Sequence, residues 1–447
     1  MQTPIEMQNI QRAAVFGMGK SGIAAVKLLA ALGVETHAVN EGAPESWAQP
    51  LKGTLSLSHC HSQSQAASLF AGVHLIVISP GIPDTHEVLV EARARGVKII
   101  SEIELAFWVC RETPVIAITG TNGKTTTTTM IYEALKLAGK KVFCGGNIGT
   151  PYCEMALAVM SGESFEFAVI EVSSFQLETI DAFHPRIALM LNLTLNHSER
   201  YVGLEDYGRA KLRILKNSTA EDDLIVGMES GPWVEWSKSY PVQRHEFSKA
   251  QLPEDFLRRF DFSKGVLVGG HNRANYFCAW KALSLLGIPH LDQLFQEFIN
   301  TFAGVEHRLE FVGNFHGLKV YNDAKSTNGE ATRTALAAFE GGEPLYLVVG
   351  GKLRNESDRL LPDLVSYKGR ITKIFTIGMT TERLVQELSA EFSVEAAHDL
   401  VGLFLRVKAQ KLVGSLVFSP AHPSFDQFKN YVDRGVQFKA RAREILT

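Results

Sequence analysis

The sequence predicts an α/β fold with parallel sheets, divided among three domains. Two observations lead to this prediction. Short apolar runs rich in β-branched residues alternate with helical segments along the chain, and glycine-rich or polar turns follow several of these runs, as at the carboxyl edge of a parallel sheet. The chain also has 447 residues, which is long for one domain. We place the domains at residues 1–110, 111–303 and 304–447.

Composition narrows the class of protein. Hydrophobic residues make up 45% of the chain and charged residues 21%, the balance of a soluble globular protein. The net charge of −3 predicts neither nucleic acid nor a membrane surface as a partner. The five cysteines form no CxxC pair, which is typical of a reducing compartment. With no signal-peptide pattern and no apolar run long enough to span a bilayer, we expect a cytoplasmic protein, and we expect it to be a monomer.

The first domain opens with a βαβ pattern. Residues 13–16 predict a strand, the segment GMGKSG (residues 17–22) a tight turn, and the following residues to Ala31 a helix. Glycines in this arrangement let a phosphate approach a helix N-terminus. Asn40-Glu41 follows the second strand, where a dinucleotide site usually has an acidic residue, so a nicotinamide cofactor and a nucleotide sugar both remain open.

Two other segments of this domain end in polar residues. Residues 73–78 predict a strand that runs into Ser79-Pro80-Gly81, at the edge where ligands bind. His59 and His61 flank Cys60 in a polar stretch that we interpret as a solvated loop and not as a metal site.

The central domain begins with the strongest motif, PVIAITGTNGKTTTTT (residues 114–129). A buried strand, a turn containing Gly120, Asn122 and Gly123, and a helix opened by Lys124, Thr125 and Thr126 form an arrangement that cradles a nucleotide triphosphate. Backbone N–H groups face the phosphates, the lysine reaches the β and γ oxygens, and a hydroxyl ligates Mg²⁺. The full Walker A pattern is absent, because Ile118 stands where its first glycine would be.

Further candidates follow the other strands of the central domain. Glu171 ends an apolar strand, where a lone carboxylate is expected to bind Mg²⁺ or to form a structural salt bridge. His197 lies in a polar cluster after another buried strand, and the residues alone leave it open between a site and a loop histidine. Lys211 lies within a predicted helix, where a lysine is normally solvated. Asn272 and Asn275, near a helix start, could bind a base edge or cap the helix.

The third domain repeats the alternation of strands and helices over residues 309–418, which predicts a parallel sheet of Rossmann-like type. Polar turns again follow its strands, in NDAKSTN (residues 322–328) and in the Ser-Pro-Ala turn at residues 419–421. A binding site is therefore expected in this domain too.

These stretches together resemble the Mur ligases, the ATP-dependent amide-forming enzymes of peptidoglycan synthesis. The matching segments extend through all three domains: GMGKSG, SPGI, TGTNGKTTTT, GNIGTP, EVSSFQLE, YGRAKLRI, HNRAN, HRLE, NDAKSTN and SPAHPSFDQF. The resemblance is nearest to the members that join D-glutamate to UDP-N-acetylmuramoyl-L-alanine, and it implies an ATP-dependent ligase that acts through an acyl phosphate. It also implies a Rossmann-like N-terminal domain that binds the UDP substrate, a central ATP-binding domain and a C-terminal domain that binds the amino acid.

The resemblance implies a role for each matching position. The UDP substrate would contact Lys20, Ser21, Gly81, Asn147 and Gln176. ATP would contact Gly120, Asn122, Gly123, Lys124, Thr125, Thr126, Asn272, Asn275, Arg308, Asp323 and Lys325. D-Glutamate would contact Thr327, Arg354, Ser424, Phe425 and Tyr431. Two Mg²⁺ ions are implied, one on Thr125 and Glu171, the other on His197 and a carbamylated Lys211. Lys124, His197 and Lys211 would be the catalytic residues.

Three positions depart from the family's pattern. Asn196 stands where an aspartate is usual, Arg354 where a lysine is common, and His422 where a small residue or cysteine is usual. Two alternatives therefore remain: a related Mur or folylpolyglutamate-type ligase for another amino acid, and an NAD-linked oxidoreductase built on GMGKSG. The oxidoreductase would leave the threonine-rich phosphate loop without a purpose.

Overall fold

A computed structural model describes residues 4–194, 196–197, 200–228, 231–265, 267, 271–339, 341–353 and 359–447. Its strands form three sheets, of five, six and six strands. The predicted α/β class with parallel sheets in three domains is confirmed. The chain divides into two compact units: Met1–Phe260 with Ala274–Phe295, and Asp261–Arg273 with Gln296–Thr447. The exact domain boundaries given above remain predictions.

The N-terminal sheet is wholly parallel, with the strand order β3-β2-β1-β4-β5. Its strands are β1 Arg12–Phe16, β2 Glu35–Asn40, β3 Cys60–Ser62, β4 Leu75–Ile78 and β5 Lys98–Ser101. Its helices are α1 Lys20–Ala31, α2 Ala66–Phe70, α3 Glu87–Ala94 and α4 Glu102–Cys110. The interpretation of residues 59–61 as a loop was wrong in part, because residues 60–62 form the edge strand. Pairing to β2, and not an apolar pattern, holds this short polar strand in place.

The central sheet is also parallel, with the order β11-β10-β9-β6-β8-β7. Its strands are β6 Val115–Thr119, β7 Val142–Gly146, β8 Phe167–Glu171, β9 Ile187–Met190, β10 Asp223–Gly227 and β11 Gln243–Phe247. The helices are α5 Lys124–Leu137, α6 Tyr152–Met160, α7 Ser174–Leu177, α8 Leu204–Leu212, α9 Trp233–Trp236, α10 Glu254–Arg259, α11 His271–Leu285 and α12 Leu291–Thr301. Strand β6 lies between β9 and β8, so the turn that follows it has a neighbouring strand end on each side.

One apolar core joins the first two sheets, which belong to the same compact unit. Glu104, on α4, fixes this junction although its side chain is fully buried. Its carboxylate accepts hydrogen bonds from the backbone N–H groups of Asp181, Ala182 and Phe183 at 2.8, 2.6 and 2.9 Å, and from the indole of Trp108 at 2.6 Å. A buried carboxylate is tolerated where such donors satisfy it.

The C-terminal sheet has the order β12-β13-β17-β14-β15-β16, and only the β12–β13 hairpin is antiparallel. Its strands are β12 Glu310–Phe315, β13 Leu318–Asn322, β14 Leu345–Gly350, β15 Ile371–Ile377, β16 Val394–His398 and β17 Gly414–Ala421. The helices are α13 Gly329–Leu336, α14 Leu361–Leu364, α15 Thr381–Leu388, α16 Leu400–Ala409 and α17 Tyr431–Leu446. The prediction of a turn at residues 419–421 was wrong, because pairing with β14 extends β17 to Ala421.

Two further observations bear on the class of protein. Among the described residues, no helix is both long and apolar enough to cross a bilayer. All five cysteines are free thiols.

Candidate active site

The phosphate loop joins β6 to α5 and presents a helix N-terminus. Gly123 has φ of 82° and directly precedes the helix. A side chain there would be strained in this left-handed conformation, and its Cβ would come within 3.1 Å of Oδ1 of Asn275. Lys124 donates from Nζ to the carbonyl oxygens of Gly120 at 2.8 Å and Thr121 at 2.9 Å. The loop therefore combines a cation with the N–H groups that open a helix, which is an anion-binding arrangement.

Asn192 braces this loop from the end of the neighbouring strand β9. Its side chain accepts from the Asn122 N–H at 2.8 Å and donates to the Asn122 carbonyl at 2.8 Å. The backbone carbonyl of Asn192 accepts a hydrogen bond from the Thr121 N–H at 2.9 Å. Asn192 thus makes these contacts two residues beyond the end of β9, which is at Met190. Sequence analysis missed Asn192, whose only signal was a polar residue directly after a buried strand.

Glu171 contacts two neutral donors of the site. Its Oε2 accepts from the Thr125 hydroxyl at 2.9 Å and its Oε1 from Nδ2 of Asn147 at 3.0 Å. The side chain is 2% exposed, and within the described ranges no lysine or arginine forms an ion pair with it. The structural salt bridge is therefore not the arrangement found. Hard oxygen donors that lie together at the end of parallel strands suit Mg²⁺.

Lys211, on α8, is buried and not solvated. The residue is 1% exposed, and its Nζ donates to the Thr119 hydroxyl at 3.4 Å and lies 4.7 Å from the centre of the Tyr207 ring. Burial first, and then the charge of Lys124, lower the pKa of Lys211 to about 7, although Glu171 opposes this shift. Burial thus favours the uncharged form of this amine.

His197 lies in an aromatic cluster next to this lysine. Its ring meets that of Phe175 edge-on at 4.8 Å between centroids and that of Tyr207 at 6.0 Å. Tyr207 therefore contacts both predicted catalytic residues, His197 and Lys211. The backbone of His197 has φ of 56°, and its N–H donates to Oδ1 of Asn196 at 2.9 Å. Asn196, one of the three departures, thus helps to fix the turn that carries the histidine.

Gln176 leaves a buried donor without a partner. Its Oε1 accepts from the backbone N–H of Ser173 at 3.0 Å and from the Ser173 hydroxyl at 3.0 Å, completing a capping box on α7. Its Nε2 is buried and has no hydrogen-bond partner among the described residues. Because an unmet buried donor is unfavourable, this amide is a candidate contact for a bound ligand.

The N-terminal sheet has its own ligand edge. The loop after β1 and the loop after the adjacent strand β4 are joined by the Ser79 hydroxyl, which donates to the Gly17 carbonyl at 2.7 Å. Lys20 and Ser21 open α1 beside this contact, and Gly81 follows in the second loop. In the order β3-β2-β1-β4-β5, the chain runs to one side of β1 first and to the other side from β4 onwards. Open α/β sheets bind ligands at the point between two such strands.

Asn40, the last residue of strand β2, braces the glycine loop. Its Oδ1 accepts a hydrogen bond from the Met18 N–H at 3.1 Å. It therefore does not play the part of the acidic residue that binds ribose in a dinucleotide site.

Asp323 and Arg434 organise the polar turns of the second unit. The Asp323 carboxylate accepts from the Ser419 hydroxyl at 2.7 Å and from the Leu309 N–H at 3.3 Å, and burial raises its pKa to about 7. The Arg434 guanidinium is fully buried and donates to the carbonyls of His422 at 2.8 Å and Ala324 at 2.9 Å. It thus holds together the turn after β13 and the turn after β17. Sequence analysis missed Arg434, because nothing distinguishes one arginine of an amphipathic helix from another.

The remaining predicted residues of this unit surround the same turns. Ser424 is buried and Thr327 and Tyr431 are half-buried, whereas Arg308, Lys325 and Phe425 are exposed. The ammonium group of Lys325 lies 5.6 Å from the centre of the Tyr431 ring. Arg354 lies outside the described residues. Asn272 of this unit and Asn275 of the first unit are both buried on α11. Oδ1 of Asn275 accepts a hydrogen bond from the Thr127 hydroxyl at 3.3 Å.

Comparison with known proteins gives a consistent result. The model of the Mur ligase middle domain matches residues 118–280, and that of the Mur ligase MurD-like N-terminal domain matches residues 11–101. The UDP-N-acetylmuramoylalanine–D-glutamate ligase of Bacillus cytotoxicus is 36% identical, with 100% of both chains covered. The ligase of the same name from Caldicellulosiruptor bescii is 33% identical, with 97% of both chains covered.

Solved structures share the fold. The UDP-N-acetylmuramate–alanine ligase MurC of Thermotoga maritima has a TM-score of 0.54 at 18% identity and covers 97% of this chain and 99% of its own. The MurF ligase of the same organism, solved in complex with ADP, has a TM-score of 0.53 at 16% identity, over 96% and 98% of the two chains.

Proposed function

This chain belongs to the Mur ligase family, and we propose that it joins D-glutamate to UDP-N-acetylmuramoyl-L-alanine with the consumption of ATP. The observation that carries this proposal is the similarity to ligases of that name over nearly the whole of both chains, at 36% and 33% identity. The reaction is a step of peptidoglycan synthesis. Neither the oxidoreductase nor a ligase for another amino acid has comparable support.

ATP supplies the driving force of the reaction. Its γ-phosphoryl group passes to the alanine carboxylate of the UDP substrate and gives an acyl phosphate and ADP. The D-glutamate amine then attacks the acyl carbon and loses a proton, and the tetrahedral intermediate releases phosphate as the amide forms. Activation is needed because a carboxylate oxygen is a poor leaving group, whereas phosphate is a good one.

The phosphate loop fits the nucleotide. The N–H groups at the start of α5 would bind the phosphates of ATP, and Lys124 would leave its contacts with the Gly120 and Thr121 carbonyls to reach the moving phosphoryl group. The ADP in the MurF structure agrees with a nucleotide site in this family. Gly120, Asn122, Gly123, Thr125 and Thr126 would line the same loop.

Two Mg²⁺ ions complete the proposed site. The Thr125 hydroxyl and the Glu171 carboxylate, 2.9 Å apart, are hard oxygen donors and fit the first ion. His197 and a carbamylated Lys211 would hold the second. When bound, such ions neutralise negative charge on the phosphoryl group in transfer.

Carbamylation accounts for the buried lysine. The uncharged amine of Lys211 would attack CO₂, forming an N–C bond and releasing one proton, which gives an anionic oxygen donor. A protonated lysine is unable to do this, so the lowered pKa of about 7 favours the modification. The same change would replace a buried amine by an anion suited to a metal ion.

Each substrate has its own set of proposed contacts. Lys20, Ser21, Gly81, Asn147 and Gln176 are proposed for the UDP substrate, with the unmet Nε2 of Gln176 as the most specific contact. Asn272, Asn275, Arg308, Asp323 and Lys325 are proposed for ATP. Thr327, Arg354, Ser424, Phe425 and Tyr431 are proposed for D-glutamate. The monomeric state also remains a proposal.

Trapping the intermediate tests the reaction directly. The protein is incubated with ATP, Mg²⁺ and UDP-N-acetylmuramoyl-L-alanine but without D-glutamate, and borohydride is then added. An acyl phosphate is reduced to the alcohol, whereas the parent carboxylate is not. We expect the alcohol by mass spectrometry, dependent on ATP and absent with Lys124→Ala. Amide formation on later addition of D-glutamate, without any trapped alcohol, would contradict this route.

A further inference from the structure

A cluster of three histidines and a glutamate lies at the edge of the N-terminal sheet, outside the site described above. Glu35 and His37 belong to β2, His61 belongs to the adjacent strand β3, and His59 directly precedes β3. The two strands are parallel, with Val39 opposite His61. Residues two apart on a strand point to the same face, so Glu35, His37 and His61 lie on one face of the sheet. The ring of His59 lies 5.0 Å from that of His37, measured between centroids.

The distances within this cluster are those of a metal site. Ligand atoms of Glu35, His37 and His59 all lie within 4.8 Å of one another. Nε2 of His37 is 3.1 Å from Oε1 of Glu35. Two ligands bound at about 2.0–2.1 Å to one tetrahedral ion are roughly 3.3 Å apart, so a small shift of these atoms would accommodate an ion.

Neighbouring groups contact the Nδ1 atoms of both histidines. Nδ1 of His37 lies 3.0 Å from Nε2 of His61, and Nδ1 of His59 lies 2.7 Å from the Ser56 hydroxyl. Nε2 of His37 donates to Glu35 while no ion is bound, and an ion would take the place of that proton. With the proton on Nδ1 in both rings, both Nδ1 contacts are hydrogen bonds and Nε2 carries the lone pair that binds the ion. Partners that orient a ligating histidine in this way are characteristic of metal sites.

The sequence alone favoured a solvated loop over a metal site at residues 59–61, but the contacts of these histidines with β2 reverse that preference. We propose that Glu35, His37 and His59 bind one divalent ion of the zinc class, with His61 as a positioning residue for His37. Two imidazoles and one carboxylate favour Zn²⁺, Co²⁺ or Ni²⁺ over Mg²⁺, and three protein ligands leave one position for water. The ion would join β2 to the turn before the edge strand β3. His37 is three residues, roughly 10 Å, before the end of β2, where Asn40 meets the glycine loop.

Arg12 is the group that opposes this ion. It lies 2.8 Å from the same Oε1 of Glu35 that contacts His37. Both side chains are about half exposed, so the guanidinium is able to turn towards solvent when an ion binds. A second cluster, Glu306, His307 and Glu310, differs in this respect, because Lys439 contacts both of its carboxylates at 2.7 Å and already supplies the positive charge.

The test is a Zn²⁺ titration of the full chain, measured by isothermal calorimetry. The protein is first stripped of metal with a chelator, and the titration is done in excess Mg²⁺. We expect one Zn²⁺ per chain with a dissociation constant raised at least tenfold in Glu35→Gln, His37→Gln and His59→Gln, and raised about 10- to 100-fold in His61→Gln. His86→Gln, a histidine of the same domain outside the cluster, should bind as the unaltered chain does. Arg12→Gln should bind more tightly, because it releases Glu35.

Two readouts make the outcome decisive. Bound Co²⁺ should show the intense visible absorption of a tetrahedral site, lost in His59→Gln, and Zn²⁺ should raise the Tm of the unaltered chain but not that of Glu35→Gln. Lys211→Ala should retain the Co²⁺ absorption, which separates this ion from the proposed active site. Equal Zn²⁺ binding by the unaltered chain and the three ligand variants would overturn the proposal, as would no Zn²⁺ binding in excess Mg²⁺.

Discussion

The hydroxyl of Thr125 donates a 2.9 Å hydrogen bond to Oε2 of Glu171, although 46 positions separate the two residues. Parallel pairing of β6 with β8, in which Ile118 lies opposite Glu171, brings them together. The turn after β6 carries the hydroxyl and the end of β8 carries the carboxylate. The proposed site of the first Mg²⁺ ion thus follows directly from the order of strands in the sheet.

This contact predicts that Thr125 and Glu171 act as a unit. Thr125→Val and Glu171→Gln should each raise the Mg²⁺ concentration for half-maximal activity by at least about tenfold, because the first removes an oxygen ligand and the second the negative charge of the carboxylate. The double variant should be little worse than Glu171→Gln alone. Glu163→Gln, an exposed carboxylate of the same domain, is the control. Additive effects in the Mg²⁺ titration would show that the two residues do not share an ion.

The position of Lys124 predicts a loss of turnover on its removal. Lys124→Ala should lower kcat by about 1,000-fold or more, since a preorganised charge on a transferring phosphoryl group contributes several kcal/mol. Lys136→Ala, at the other end of the same helix and exposed, should retain kcat. The rate of ADP formation under saturating substrates measures both. A Lys124→Ala variant with near-normal kcat would contradict the assignment of the phosphate loop.

The carbamate hypothesis predicts chemical rescue. Lys211→Ala should be inactive, and a short carboxylate such as acetate should restore part of the activity, because it supplies the missing anionic oxygen in the space left by the side chain. Lys238→Ala, a surface variant, should be active and indifferent to acetate. Full activity of Lys211→Ala without acetate would contradict the carbamate hypothesis.

Burial of Lys211 also predicts a dependence of stability on pH. The pKa is lowered from 10.5 to about 7, so between these values the folded chain binds fewer protons than the unfolded chain. The free energy of unfolding should therefore rise with pH in this window by on the order of 1 kcal/mol per pH unit from this group. Denaturant unfolding in CO₂-free buffer should show the rise in the unaltered chain relative to Lys211→Met. A difference between the two that is constant from pH 7 to 10 would contradict a buried, uncharged amine.

The contacts of Arg434 predict that its substitution changes the KM values of the two substrates to different extents. Because it binds the carbonyls of Ala324 and His422, Arg434→Met should disorder the turns that carry Lys325 and Ser424. We expect the KM for D-glutamate to rise at least about tenfold while the KM for the UDP substrate changes little, since the proposed contacts of the latter lie in the other unit. Arg434→Lys should restore part of the affinity. Equal changes in both KM values would assign Arg434 a purely structural role.

The sequence alone predicted the sheets and the residues that carry strong local signals. Lys124 and Thr125 were found because a glycine turn between a strand and a helix is a local pattern, and Glu171 because a carboxylate is unusual in an apolar strand. Edge strand β3 was missed because its three residues show no alternation of apolar and polar side chains. The predicted end of β17 came too early because Ser419-Pro420-Ala421 resembles a turn.

Contacts between residues that are distant in the chain were beyond sequence reasoning. Asn192 braces the phosphate loop only because β9 lies beside β6, and Lys211 is buried only because α8 packs over Thr119. Arg434 owes its role to two turns whose contacts lie 110 and 12 positions away along the chain. In each case the neighbouring residues in the sequence are ordinary, and the role of the residue comes from its tertiary contact.

The most direct test of the central claim is phosphate release from ATP with UDP-N-acetylmuramoyl-L-alanine and a panel of D- and L-amino acids. We predict release that requires D-glutamate and is absent with L-glutamate, L-lysine and D-alanine. Release that depends on another amino acid would contradict the assigned substrate while preserving ligase chemistry. No release with any amine would contradict the proposed reaction itself.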